Sequence, residues 1–421
     1  MDLSAVLNKW RLGAVRGHNC THNKWEYQLT DIFLTRRTML RGMLAATFFT
    51  LLTYNRAFAS VSISITDLAG RTVTLPRPVR RLLVGDGALA YVLPLLKPNA
   101  PFGNVVGWGE NFRLADLNGY DAYLKRFPGI ATIPTFPATT TDAINAELAI
   151  SLAPDLVLMN LSSLPVAQSS GLIERLERAG IPLIFVDFRT HMFANATRSM
   201  QLIGELLGCQ ERTNAFLQFR EEQIARVEQR LQNVSHRPLV VIERAAGMYE
   251  DCCMSYGPGN LGEMVNMAGG KNLGSTFIPS NFGTLHPEQI ITSDPDVVIV
   301  TGANWSLYAP TGDWVNLGPG ADPVEGQNRL QRLMTRPAYR TLRAVHTGQV
   351  YAIWHAFYDN PYNFIALQRI AKWLHPTRFA DLDPEETFQE LHKRFLPIPY
   401  QPGYWLNLNT TASATKSTVT E

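Results

Sequence analysis

The chain has 421 residues, too many for one compact core of ordinary size and enough for two. Its 46% apolar and 18% charged composition is that of a globular protein and excludes bulk disorder or a repetitive architecture. The formal net charge of +2 comes from the first sixty residues: without 1–59 there remain thirty basic against thirty-three acidic side chains, which argues against the net basic face that a nucleic-acid partner requires.

Residues 1–59 read as an export signal. The segment Thr35-Arg36-Arg37-Thr38 precedes an apolar run over 43–54, and Ala57-Phe58-Ala59 supplies small residues for cleavage after Ala59. The run is about a dozen residues, short of the ~20 that a membrane-spanning helix needs. Arg36 and Arg37 resemble a twin-arginine signal, a route that exports proteins already folded. No cysteine follows the run, so a lipid anchor is not expected and the mature protein is placed in a periplasm. The remaining cysteines are Cys209, Cys252 and Cys253, with no C-x-x-C pair for zinc or redox work. Backbone strain disfavours a bond between the adjacent two, and a bridge from Cys209 to either stays open.

The mature chain opens with Val61, Ile63 and Ile65 alternating with polar residues, an Asp67-Leu68-Ala69-Gly70 turn, then Val73 and Leu75 alternating again, the pattern of a hairpin. Short continuous apolar runs follow: Leu82-Leu83-Val84, Val105-Val106, Leu156-Val157-Leu158 and Ile184-Phe185-Val186. Such runs suit strands buried on both faces of a parallel sheet, and residues 60–195 form the expected N-terminal lobe. From 196 to 236 apolar residues fall at helical spacing with charges between them, predicting a bridging helix. The α/β pattern restarts at Leu239-Val240-Val241-Ile242 and continues through Val297–Val300 and Val350–Ile353. Residues 237–407 are the expected C-terminal lobe, and a Ser/Thr-rich stretch over 408–421 is the expected disordered tail. The fold class is α/β: two lobes with mainly parallel sheets, joined by one long helix, with a ligand cleft between them.

Two segments repeat. Residues 146–158 and 287–299 each carry a Glu, Glu147 or Glu288, then seven to eight residues later a Pro-Asp pair and a buried apolar run. Each reads as a helix that starts near the Glu, stops before the proline and feeds a strand. A carboxylate in the first turn is favoured by the helix dipole, which by itself accounts for both glutamates.

These paired segments resemble the class III periplasmic binding proteins of ABC importers, those for iron siderophores and cobalamin. So do the Asp67-Leu68-Ala69-Gly70-Arg71-Thr72-Val73 opening, the stretch from Gly257-Pro258-Gly259-Asn260-Leu261-Gly262 to Ala268-Gly269-Gly270-Lys271-Asn272, and the long mid-chain helix. The resemblance covers the whole mature chain. It implies two α/β lobes joined by a rigid helix, ligand in the cleft, and docking of Glu147 and Glu288 on arginines of a permease dimer that works with separate ATPase subunits. A ferric chelate as ligand, no cofactor and a monomeric state are the matching expectations.

Ligands of open α/β lobes sit beyond the carboxyl ends of strands. In the first lobe that singles out Trp108, Arg113 and Arg189, and in the second Arg244, Tyr249, Trp305, Trp354, His355 and Tyr358. Guanidinium forks and aromatic faces can hold a large anionic iron complex without entering its coordination sphere, and Arg189 and Arg244 directly follow strands in opposite lobes. No protein ligand to a metal is expected. Cobalamin or haem on the same fold stays open. An exported enzyme is the remaining alternative, but no G-x-S-x-G, H-E-x-x-H or C-x-x-C occurs. The Gly257–Gly262 stretch matches G-x-G-x-x-G, but it lies fifteen residues beyond the nearest predicted strand and Pro258 removes an N–H from it, so a nucleotide site is not expected.

Overall fold

In the computed structural model the described residues are 62–76, 79–137, 144–250 and 252–408, all within one compact unit, Ser62–Glu421. The expected signal residues Arg36, Arg37 and Ala59, and the tail from 409 onward, lie outside them.

The opening hairpin pairs β1 (Ser62–Thr66) with β2 (Thr72–Pro76), Ser62 opposite Pro76 and Thr66 opposite Thr72. Its turn is tied by Asp67, whose carboxylate accepts from the Ala69 and Arg71 amides and from the Arg71 guanidinium. Gly70, at φ +75°, completes it.

The first lobe holds a five-stranded, all-parallel sheet built from β3 (Leu82–Val84), β4 (Val105–Gly109), β5 (Thr135–Phe136), β6 (Leu156–Asn160) and β7 (Leu183–Val186), ordered β5-β4-β3-β6-β7. Every residue of β3, β6 and β7 is buried, as expected for strands covered on both faces. The second lobe holds a mixed sheet of β8 (Leu239–Glu243), β9 (Met254–Tyr256), β10 (Lys271–Asn272), β11 (Phe282–Thr284), β12 (Val297–Gly302), β13 (Val350–Trp354) and β14 (Trp405–Asn407). Its centre, β10-β8-β12-β13, is parallel; at the margins β9 and β14 run antiparallel to it, and β11 pairs antiparallel with β9.

The repeated Pro-Asp segments acquire a structural role that the sequence does not reveal. Asp155 accepts from the amides of Arg80 and Arg81, and Asp296 accepts from the amide of Leu239. Each Asp, just ahead of its own strand, thereby fixes the start of the adjacent parallel strand, β3 in one lobe and β8 in the other. The helices before them, Ala146–Ser151 and Pro287–Ser293, end in residues with positive φ, Ala153 at 42° and Asp294 at 39°, directly ahead of the prolines.

Within 196–236 two helices form. Ala196–Leu206 ends in a turn whose Gly208, at φ +69°, lets the Cys209 amide reach the Gly204 carbonyl at 2.7 Å. The long helix, Gln210–Leu231, has 22 residues and so spans about 33 Å. It packs on the second lobe's helix Asn363–Leu374 through Phe216, Phe219 and Phe364, with Gln368 donating to the Gln223 carbonyl.

The sulfurs of Cys252 and Cys253 are joined to each other, which corrects the expectation that neighbours would not bond. Cys209 is buried at the start of the long helix, its sulfur against the Leu207 carbonyl, and takes no part. No helix among the described residues is long and apolar enough to cross a membrane.

Candidate ligand-binding cleft

In each lobe the strand order reverses direction at one point, between β3 and β6 in the first and between β8 and β12 in the second. Loops leaving the carboxyl ends of strands diverge at such points and leave a crevice. The two crevices face each other across a cavity of about 440 Å³. The first lobe contributes Gly85 and Asp86 after β3, Glu110 and Asn111 after β4, Met159, Ser162 and Ser163 at and after β6, and Arg189 after β7. The second contributes Arg244, Met248 and Tyr249 after β8, Tyr256 and Phe282 from the margin, Trp305 and Tyr308 after β12, and His355 and Tyr358 after β13.

Of the residues singled out from sequence, Arg189, Arg244, Tyr249, Trp305, His355 and Tyr358 line this cavity. Three do not. Trp108 is 1% exposed and packs edge-on against Phe102 and Phe112 in the first-lobe core, because β4 runs on to Gly109 and keeps Trp108 inside the sheet. Trp354, also 1% exposed, is the last residue of β13 and is enclosed by Tyr91, Phe357 and Tyr404. Arg113 is exposed and lies over the Tyr120 ring, away from the cavity. Glu110, Tyr256, Phe282 and Tyr308 are among the lining residues not singled out from the sequence. Tyr256 and Phe282 sit on short marginal strands with no long apolar run to mark them.

Arg189 is an inter-lobe tie. Its guanidinium lies 2.7 Å from Asp359 and 3.1 Å from Asp86, with the Tyr358 ring 5.1 Å away. Burial alone would lower its pKa, but Tyr358, Asp86 and Asp359 outweigh that and raise it. The Asp359 carboxyl is pushed up to about 6 by burial, against the pull of Arg189. Asn260, in the Gly257–Gly262 stretch, donates to the carbonyls of both Arg189 and Tyr358 at 2.7 and 2.9 Å, so that stretch closes one wall of the cleft.

The opposite wall is closed by a 303–321 segment that crosses from the second lobe. Trp305 Nε1 donates to the Ala115 carbonyl at 2.9 Å, Asn304 donates to Asn118 at 2.8 Å, and Asn118 donates to Asn316 at 3.1 Å. Behind it Asp116 accepts from Trp354 Nε1 at 3.2 Å and from the Tyr91 hydroxyl. Burial raises the Asp116 carboxyl to about 6, opposed by those two bonds.

His355 is held by Thr301 Oγ1 at 2.8 Å from its Nδ1, between the rings of Trp305 and Tyr358. Burial, then Arg244 and Arg189, lower its pKa well below the usual value, so the imidazole is neutral. Arg244 lies over the Phe282 ring at 5.1 Å and donates to the Met254 sulfur. Among the described residues it has no ion pair. No group of three or more His, Cys, Asp or Glu side chains that could hold a metal occurs among the described residues.

Two α/β lobes closed around an aromatic cavity at their facing switch points define a solute-binding protein of the cleft type. The family model for periplasmic binding proteins matches residues 122–355, and the chain belongs to that family, the substrate-binding proteins of ABC transporters rather than enzymes. A Bacillus subtilis relative, an uncharacterized ABC transporter substrate-binding lipoprotein, is 20% identical over 239 residues, 57% of this chain and 69% of the relative. Among solved structures, the TroA-like periplasmic binding protein FepB of Veillonella parvula superposes with a TM-score of 0.73 at 25% identity, covering 82% of this chain and all of that one. The molybdate-binding MolA of Haemophilus influenzae reaches 0.62 at 18%, covering 81% and 99%. The periplasmic heme-binding protein RhuT of Roseiflexus reaches 0.52 at 18%, covering 71% and 99%.

Proposed function

We propose that this protein is the periplasmic component of an ABC importer that captures a ferric siderophore or similar iron chelate and delivers it to a membrane permease. The observation that carries this reading is the cavity of about 440 Å³ walled by Tyr249, Tyr256, Phe282, Trp305, Tyr308 and Tyr358 around the Arg244 guanidinium. A space of that size is far more than a tetrahedral oxyanion fills, and an aromatic wall with one cation suits a chelate gripped by its organic shell. Haem or cobalamin is the second reading, favoured by the same aromatic wall and by the heme-binding neighbour.

Delivery would use Glu147 and Glu288. Both are exposed, in the first turn of matching helices in the two lobes, and neither makes an ion pair among the described residues. In this reading they meet arginines of a two-fold permease served by its ATPase subunits, with the binding protein a monomer. Export through the Arg36-Arg37 signal and cleavage after Ala59 complete the proposal, and sequencing of the exported protein should begin at Ser60.

The test is calorimetric titration of the purified protein with a panel of ferric siderophores, haem, cobalamin and molybdate. Saturable binding of one iron chelate at submicromolar Kd is expected. Tight binding of molybdate, or of haem or cobalamin alone, would overturn the iron reading.

A further inference from the structure

The cleft contains two arginines, and their electrostatic situations differ. Arg189 is saturated: Asp86 and Asp359 both lie within ion-pair distance, and both are almost fully buried. Asp86 is also committed within the first lobe, accepting from the Ala88 amide at 3.1 Å and the Asn111 side chain at 2.7 Å. The cluster of one guanidinium and two carboxylates therefore offers a cargo no spare positive charge. His355, neutral between Trp305 and Tyr358, offers none either.

Arg244 is the exception. It enters the cavity from the end of β8 with aromatic and thioether partners only among the described residues. Beside it Tyr249, Phe282 and Tyr308 are each about half exposed, at 50%, 49% and 52%. They form an open aromatic rim around that single charge. On the opposite, first-lobe wall Glu110 faces the cavity without an ion pair among the described residues. The unpaired charges of the site are thus one cation on the aromatic side and one anion on the polar side.

We infer that the cargo carries one anionic group beside a π-conjugated face, with a net charge between zero and −1, and that Arg244 is the residue that selects it. Its anionic group meets Arg244, its flat face lies on the Tyr249–Phe282–Tyr308 rim, and its hydrogen-bond donors turn to Glu110. A complex with three negative charges does not fit. Closing the lobes over it would bury charges that the cavity leaves uncompensated, and Glu110 would oppose it. Arg189 is a positioning residue that holds the lobes together without contacting the anion. This inference rests on the reading of the protein as a binder of chelates.

The test measures Kd by tryptophan fluorescence for three ferric complexes of similar size: a neutral tris-hydroxamate, a mixed catecholate–hydroxamate of net charge −1, and a tris-catecholate of net charge −3. The wild type is expected to favour the complex of charge −1. Arg244→Gln is expected to weaken that complex by about 10- to 100-fold, the range for one hydrogen bond to a charged group, and to leave the neutral complex within threefold, which also shows that the variant is folded. Arg189→Met is expected to change both affinities by a common factor and so preserve their ratio. Preference for the −3 complex, or an Arg244→Gln loss equal for charged and neutral complexes, overturns the inference and leaves the binding function standing. Failure of all three to bind overturns the chelate reading and the inference with it.

Discussion

Cutting the Arg189 tie is the perturbation whose size the structure defines best. In Arg189→Met the side chains of Asp86 and Asp359, only 7% and 4% exposed, face each other across the lobe boundary without their shared cation. Removing one partner of a buried ionic cluster costs about 3–5 kcal/mol, because the charges left behind stay desolvated. The cost has a pH signature. Asp359 holds its proton up to about pH 6 in the folded protein against 3.8 for the ordinary carboxyl. The folded state therefore binds more protons in that window and gains stability as the pH falls through it, by roughly 3 kcal/mol for a shift of this size. Without Arg189 the folded pKa rises further, since the guanidinium is what pulls it down, and protonation relieves the repulsion from Asp86 at still higher pH. Besides burial, the groups that act most on Asp359 are Arg189, Asp86 and Tyr358, with Tyr256 also near enough to feel its charge. Guanidinium denaturation of wild type and variant at pH 8 and pH 5 should show a deficit of about 3–5 kcal/mol at pH 8 that shrinks by half or more at pH 5. A deficit below about 1 kcal/mol, or one equal at both values, refutes the tie.

Tyr91→Phe removes one of the donors that hold the buried Asp116 carboxylate and should cost about 1.5–3 kcal/mol at pH 8, less below pH 6 where that carboxyl is protonated; the same denaturation series measures it. Gly87→Ala should weaken ligand binding and also lower stability clearly, because a Cβ there collides with the Gly109 carbonyl and the Phe112 amide, backbone atoms that cannot swing aside, and displaces Asn111 from the cleft. Calorimetry beside a melting curve separates the two effects. Glu147→Ala combined with Glu288→Ala should stop uptake in cells while Kd in solution stays within twofold. Thiol labelling of the unfolded, unreduced mature protein should leave Cys252 and Cys253 unlabelled, because they are joined; labelling of either would contradict that bond.

The fold was legible because its central strands are unbroken apolar runs: β6, β7, β12 and β13 are buried along their whole length, a pattern that helices of surface type do not produce. The site was legible only in part. The rule that ligands lie beyond strand ends fails by a residue or two when the strand's end is misjudged, and that error put Trp108 and Trp354 in the cleft when both sit inside their sheets. The opposite outcome holds for Glu110 and His355, which follow directly after the same strands and do face the cavity. The state of Arg189 could not be read at all: its partner Asp359 is 170 residues away, and only the closed arrangement of the lobes shows that this charge is already matched. Asn260 belongs to a glycine-rich stretch that resembles a nucleotide loop, yet its side chain bridges carbonyls of the two lobes.

The central claim is that an iron chelate binds between Arg244, the Tyr249–Phe282–Tyr308 rim and Glu110. The most direct measurement is a crystal structure of the protein with its tightest ferric chelate, phased on the iron anomalous signal. The account requires an iron peak inside the cavity, with the Arg244 guanidinium on the chelate's anionic group and the Arg189–Asp359 pair intact. An iron peak outside the cleft, or a chelate held by Arg189 with its carboxylates displaced, would contradict it.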